Sequence, residues 1–210
     1  MQRHKPIRIL IADDHPVVRE GLIALIRLQP DMEVVAEAGS GLEAAEQFRK
    51  HLPDVTLLDL RMPDQDGAAT VSNIRSRFPA AKIVIMSAYE GEEEIYRTLL
   101  AGTEGYLPKD SPRDELMACI REVYAGRKWI PSQIASKLAH RMSSPNLSDR
   151  EVEVLNLLAT GKSNKEIGAA LNVTEGTVKV HVNHLFAKLG VTGRTEAISA
   201  AAKSGLIYMR

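Results

Sequence analysis

Five positions carry the residue types that handle charge: Asp13 and Asp14, Asp59, Ser87 and Lys109. Each stands at or just beyond the end of a short apolar run. Those runs are IRILIA at 7–12, VTLL at 55–58, KIVIMSA at 82–88 and GYL at 105–107. Taken singly, a strand-end Asp caps a turn and a lone Lys is solvated; the combination at four strand ends points to a site. Three carboxylates brought together repel one another and stay partly protonated unless a cation joins them. Oxygen ligands, with no cysteine or clustered histidine, point to Mg2+, which keeps waters and takes a few carboxylates plus a phosphate oxygen. In that setting Asp59 is a carboxylate nucleophile able to accept a phosphoryl group. Mg2+ and Lys109 offset the charge on that group, and the Ser87 hydroxyl donates to one of its oxygens.

The elements that must position these residues are legible in the pattern. Apolar strands are expected at 7–12, 32–36, 55–58, 82–88 and 105–107, with helices following Pro16, at 41–51, 68–78, 92–101 and 111–124. Five strand-helix alternations predict a doubly wound, flavodoxin-like α/β domain over residues 1–125, with a five-stranded parallel sheet and helices on both faces. In such a sheet the carboxyl ends of the strands form the ligand-binding rim. Residues 126–146 read as a linker punctuated by Gly126, Pro131, Ser143, Ser144 and Pro145. Ile134, Leu138 and Met142 recur there every four residues and predict a linker helix, while Trp129 and Ile130 are expected to pack on one domain.

From Leu147 to Arg210 the pattern is helical, a small all-α four-helix domain. Ser148 with Glu151 and Ser163 with Glu166 form capping boxes, Thr174 caps a third helix, and Gly161 and Gly190 end two of them. Helices of roughly eight and fourteen residues joined at Asn172-Val173 match a helix-turn-helix unit. Its second helix has Val178, Val182, Leu185 and Leu189 on one face and Lys179, His181, Asn183 and Lys188, with Val180, on the other. A face so built is suited to the major groove of double-stranded DNA.

Composition is consistent with two modules. The chain of 210 residues has zero formal net charge. Residues 1–125 hold 15 Lys+Arg against 21 Asp+Glu, and residues 126–210 hold 12 against 6. An acidic module joined to a basic one suggests different partners for each. The single cysteine, Cys119, excludes an internal disulfide framework and is expected to be a small core residue. No membrane-spanning run and no basic-then-apolar leader are seen, so the expected location is the cytoplasm, with no membrane partner.

The chain resembles the NarL/FixJ family of two-component response regulators. ADDHP at 12–16, LLDLRMPDQDG at 57–67, MSA at 86–88 and GYLPKD at 105–110 resemble a receiver domain; residues 147–203 resemble the LuxR-type helix-turn-helix. The resemblance implies a phosphorylation-controlled DNA-binding transcriptional regulator rather than a turnover enzyme. It implies Asp59 as phosphoacceptor from a histidine kinase, with Mg2+ ligated by Asp14, Asp59 and the backbone carbonyl of Arg61, and Asp13 acting mainly through water. It implies a switch in which Ser87 moves toward the phosphoryl group and Tyr106 changes rotamer. It puts base readout at Lys179, Val180 and Asn183, with Thr177, His181 and Lys162 as candidates for contacts to the DNA backbone, and a homodimer through the last helix.

Two departures from the receiver pattern stand out: Asp110 follows Lys109 where many receivers have Pro, as is usual in this subfamily, and Pro108 directly precedes Lys109, where an aliphatic residue is usual. In the second domain Asn183 stands where a Lys is common. Arg61 and Tyr89, two residues beyond Asp59 and Ser87, are expected to flank the path of an attacking water and set the phosphoryl lifetime. The expected coupling is a two-state switch that frees or pairs the DNA-binding surfaces. The competing readings are a protein-binding adaptor, and a small-molecule-sensing LuxR-type regulator. The acidic pocket and the low aromatic content, 4%, argue against the second.

Overall fold

A computed structural model describes residues 5–88, 91–143 and 146–207. It divides into two compact units: residues 5–88 with 95–136, and residues 137–207 with the short segment 91–94. Tyr89, Ser144 and Pro145 lie outside the described residues.

The first unit alternates strand and helix: β1 (Ile7–Ala12), α1 (Pro16–Arg27), β2 (Met32–Ala38), α2 (Gly41–His51), β3 (Val55–Asp59), α3 (Gly67–Arg77), β4 (Ile83–Ser87), α4 (Glu92–Leu100), β5 (Gly105–Pro108) and α5 (Arg113–Tyr124). The strands pair in parallel in the order β2-β1-β3-β4-β5. Strand residues alternate between the two faces of the sheet. Ile7, Ile9, Ile11, Leu57, Val84, Met86 and Leu107 bury against α1 and α5, where Cys119 is fully enclosed with Leu116 and Ile120. Leu10, Leu58, Ile83, Ile85 and Tyr106 are equally buried and belong to the alternate set. Strands covered on both faces read as unbroken apolar runs. The chain order reverses between β1 and β3, so the carboxyl ends of these two strands flank the topological switch point, the usual ligand crevice of such sheets.

The segment after α5 continues the sheet. Trp129 bridges Gly105 in parallel, its N–H donates to the Glu104 carbonyl at 3.0 Å, and its carbonyl accepts from the Tyr106 N–H at 2.9 Å. The outer edge of β5 is thereby occupied rather than left as an open row of donors and acceptors. Trp129 packs on the α1/α5 core, and Ile134, in the first turn of α6 (Ser132–Ser143), is fully buried. Met142, expected on the same inward stripe, is 69% exposed.

The second unit holds α7 (Asp149–Ala159), α8 (Asn164–Leu171), α9 (Glu175–Leu189) and α10 (Arg194–Ser204). Both capping boxes form reciprocally, at Ser148/Glu151 and at Ser163/Glu166, and the Thr174 hydroxyl accepts from the Thr177 N–H. Each satisfies backbone donors that a helix start leaves unpaired. Val154, Leu155, Leu158, Ile167, Val178, Leu185 and Ala201 make the core. The turn between α8 and α9 is tight. Asn172 adopts φ 53° at the end of α8, and a Cβ added to Gly168 would meet the Val173 carbonyl oxygen at 2.8 Å. No helix among the described residues is long and apolar enough to cross a membrane.

Candidate phosphoacceptor site and nucleic-acid interface

The switch-point rim collects the charged residues. The Lys109 ammonium lies 2.7 Å from Asp13 Oδ2 and 2.9 Å from Asp59 Oδ2, joining the loop after β1 to the end of β3. Both carboxylates are nearly closed to solvent, and Asp14 is partly open. Lys109 comes from the far side because its own N–H donates to the Ser87 carbonyl at 2.9 Å, one residue past the register pair Ser87–Pro108. Pro108 is therefore accommodated at the strand's last position. Ser87 is buried at the end of β4, one residue beyond the Asp59–Met86 pair. An open cleft of about 370 Å³ lined by Ser87, Ala88, Pro108, Lys109 and Asp110 adjoins them.

Burial sets the electrostatics. It pushes the Asp59 carboxyl above the ordinary carboxylate range, and the neighbouring Asp13 charge adds to this. The Lys109 ammonium and the Arg61 N–H oppose the rise without cancelling it. Burial would lower the Lys109 pKa, but its bonds to Asp13 and Asp59 win and hold it above its usual value, so it stays charged. Two carboxylates sharing one ammonium leave the rim undercompensated, and a divalent cation would relieve it.

The loop between β3 and α3 fixes the surroundings. The Gly67 N–H donates to the Leu60 carbonyl at 2.7 Å, and a Cβ on Gly67 would come within 3.0 Å of Leu60 Cα and 3.2 Å of the Asp59 carbonyl oxygen. A side chain here would press on the Leu60 and Asp59 backbone, so glycine suits this close approach. The other loop carboxylates have structural work: Asp66 caps α3 through the Ala69 N–H, and Asp64 accepts from Gly41 and Leu42 at the start of α2. Arg61 is exposed and pairs by backbone with Asp66. Tyr106 is fully buried on β5.

One donor escaped the sequence reading. Beside the oxygen set expected there stands His15, a ring nitrogen of which lies within 4.8 Å of carboxylate oxygens of Asp13, Asp14 and Asp59. Its adjacency to Asp13-Asp14 was the available signal. The His15 N–H also donates to Asp13 Oδ1 at 2.9 Å, which turns the residue back over the rim. Asp13, Asp14 and Asp59 thus form an acidic cluster suited in donor type to a hard divalent ion. Cys119 has no part in it, its thiol pushed up to about 12 by burial and the nearby Glu115.

In the second unit, α9 buries Val178, Val182 and Leu185 and exposes Thr177, Lys179, Val180 and Asn183. His184 is exposed on the same side, and helical spacing from Thr177 and Val180 could have identified it. His181 is half-buried, and Lys162 is exposed just before α8. Lys179 makes an i,i+4 pair with Glu175 at 3.0 Å, both well exposed and thus weakly held. Lys188 is engaged elsewhere: its ammonium lies 2.7 Å from the buried Glu151 carboxylate and donates to the Asn146 carbonyl at 3.0 Å. It ties the end of α9 to the start of α7, so its expected place on the outward face is not what the structure gives it.

A receiver-type acidic rim and a capped helix-turn-helix unit define a signalling protein with a DNA-binding module. Residues 9–121 match the response regulator receiver domain, and residues 145–201 match the bacterial regulatory proteins of the luxR family. The chain belongs to the LuxR-type two-component response regulators, DNA-binding regulators of transcription. It is 37% identical to the oxygen regulatory protein NreC of Staphylococcus aureus, over 96% of this chain and 99% of that one. Among solved structures it is similar to the response regulator ChrA of a heme-sensing two-component system, with TM-score 0.59 and 36% identity over 97% of this chain and 100% of ChrA. It is also similar to the response regulator RcsB in a complex with DNA, with TM-score 0.71 and 25% identity over 95% and 99% of the two chains.

Proposed function

We propose that Asp59 accepts a phosphoryl group from a cognate histidine kinase, and that this event controls how the second unit binds double-stranded DNA. The observation that carries the reading is Lys109 held between Asp13 and Asp59 at the switch point. The Asp59 carboxylate attacks phosphorus; the new bond is O–P, the broken one is P–N of the donor imidazole, and the donor leaves with a proton. Mg2+ at Asp13, Asp14, Asp59 and the Arg61 carbonyl would supply charge for the phosphoryl oxygens. Lys109 stays cationic and can follow a phosphoryl oxygen when Asp59 Oδ2 changes partner. Ser87 supplies a hydroxyl from the neighbouring strand end, and Tyr106 is the buried reporter one strand further on. Arg61 flanks the approach of water. Each chain is modified once rather than turning over substrate, and the protein works in the cytoplasm.

The output reading rests on the exposed stripe of α9. Lys179, Val180 and Asn183 read base edges, joined by His184, while Thr177, His181 and Lys162 contact phosphates. Residues 1–125 act as receiver, 126–146 as connection and 147–210 as DNA-binding domain. A homodimer through α10 matches a two-fold DNA site. The RcsB–DNA complex is the relative that supports DNA as partner.

The test is selection of bound duplexes from random DNA by the full chain, with and without acetyl phosphate and Mg2+, followed by fluorescence anisotropy at several salt concentrations. Tighter, steeply salt-dependent binding after phosphodonor treatment is expected. Equal affinity for wild type and Asp59→Asn under every condition contradicts the switch. No salt-dependent DNA binding at all favours the adaptor reading.

A further inference from the structure

We infer that His15 is an additional ligand at the acidic rim, and that it lets this pocket bind a later first-row divalent ion of the Co2+ or Ni2+ kind more tightly than Mg2+. The inference rests on the reading of the rim as a cation site and concerns only which cation it favours.

The His15 ring is held where a ligand would need to be. Its Nδ1 is 2.7 Å from Asp14 Oδ1 and 3.4 Å from Asp13 Oδ1. The shorter approach is not aligned as a hydrogen bond, and Asp14 Oδ1 is screened from water with no hydrogen-bond partner. Two donor atoms lie side by side rather than donor to acceptor, an arrangement that a shared cation relieves. The backbone fixes this placement. His15 is extended, with φ −90° and ψ 108°, directly before Pro16, which disfavours the helical alternative for the residue ahead of it. The His15 N–H is anchored on Asp13 Oδ1. The side chain is 66% exposed, so the imidazole stands at the solvent side of the cluster, whereas Asp13 and Asp59 are buried.

Charge does not choose between ions here. Three carboxylates and the Lys109 ammonium leave two negative charges, which any divalent ion neutralises. The nitrogen does choose. Imidazole suits Co2+ and the later first-row ions, whereas Mg2+ prefers oxygen and gives up its waters reluctantly. A rim with His15 over it therefore gains affinity for transition ions and little for Mg2+.

The experiment titrates metal-free full-length protein with MgCl2 and, separately, CoCl2. Calorimetry and the visible absorption of bound Co2+ are read for wild type, His15→Ala and Asp59→Asn. His15→Ala should weaken Co2+ about tenfold or more and alter the Co2+ spectrum, while Mg2+ affinity stays within about twofold. Asp59→Asn should weaken both ions, which assigns the Co2+ to the rim rather than to other histidines. Equal weakening of Mg2+ and Co2+ by His15→Ala, no weakening of either, or a Co2+ site that survives Asp59→Asn overturns the inference. Mg2+ binding with Co2+ affinity indifferent to His15 leaves the rim's cation role standing and removes only that of His15. Failure of both ions to bind wild type would overturn the cation reading itself.

Discussion

The Lys109 ammonium sits 2.9 Å from the Asp59 carboxylate and is shared with Asp13, yet burial still holds Asp59 above the usual carboxylate range. The folded chain therefore binds the Asp59 proton more tightly than the unfolded chain. Stability falls as pH rises from the ordinary value of 3.8 through the raised one, and the loss is complete above it. At neutral pH without divalent ions, Asp59→Asn should melt at a higher temperature than wild type. Mg2+ should raise the wild-type melting temperature and narrow the gap. Scanning calorimetry with and without MgCl2 checks this, and an Asn variant that melts lower in the metal-free state contradicts it.

Trp129 is the only tryptophan, and its carbonyl takes the Tyr106 N–H. A displacement of β5 at Tyr106 must move the Trp129 backbone with it. The indole Nε1 is buried without a partner, so its emission will respond to small changes in packing. Acetyl phosphate with Mg2+ should shift the intrinsic fluorescence of wild type and leave Asp59→Asn unchanged. An identical response from both proteins would detach Trp129 from the phosphorylation event.

How much of this was legible in the sequence depends on the kind of signal. The five parallel strands followed from strand-helix alternation, and Asp59, Lys109 and Ser87 stand at strand ends that the apolar runs mark; the order of the strands in the sheet had no such local signal. The caps at Ser148, Ser163 and Thr174 formed as read because they are local, set by residues three apart. What stayed hidden was long-range direction. Spacing put Lys188 on the polar side of α9, but a buried carboxylate thirty-seven residues away in sequence, Glu151, decides where its ammonium goes. Residue type left His15 out of the ligand set, and a backbone turn brings its ring to the carboxylates. The bridge from Trp129 to β5 has no alternating pattern to announce it, since it is a single residue of strand.

The exposed face of α9 should separate readout from attachment. Asn183→Ala should cost about 1–3 kcal/mol on the preferred duplex and relax its sequence preference. Lys162→Ala should weaken all duplexes alike and reduce the salt slope by about 1. Anisotropy on matched and scrambled duplexes distinguishes these patterns; a uniform loss from Asn183→Ala would remove it from base readout.

Lys188→Met should act on stability. Burial would raise the Glu151 pKa, but Lys188 and Ser148 outweigh it and hold the carboxyl below its ordinary value. That contribution is present above pH 4.5 and lost as pH falls through the lowered folded value. Removing Lys188 should cost about 2 kcal/mol near neutral pH, and less in acid once Glu151 is protonated. Chemical denaturation at two pH values checks this, and an undiminished cost in acid would mean that Lys188 acts through something other than Glu151.

The most direct test of the central claim is the mass of the intact chain after incubation with acetyl phosphate and Mg2+, followed by borohydride trapping and peptide mapping. One phosphoryl group per chain, mapped to Asp59 and absent from Asp59→Asn, is the predicted result. A phosphoryl group on another residue, or none on a folded protein that binds Mg2+, would contradict Asp59 as the acceptor.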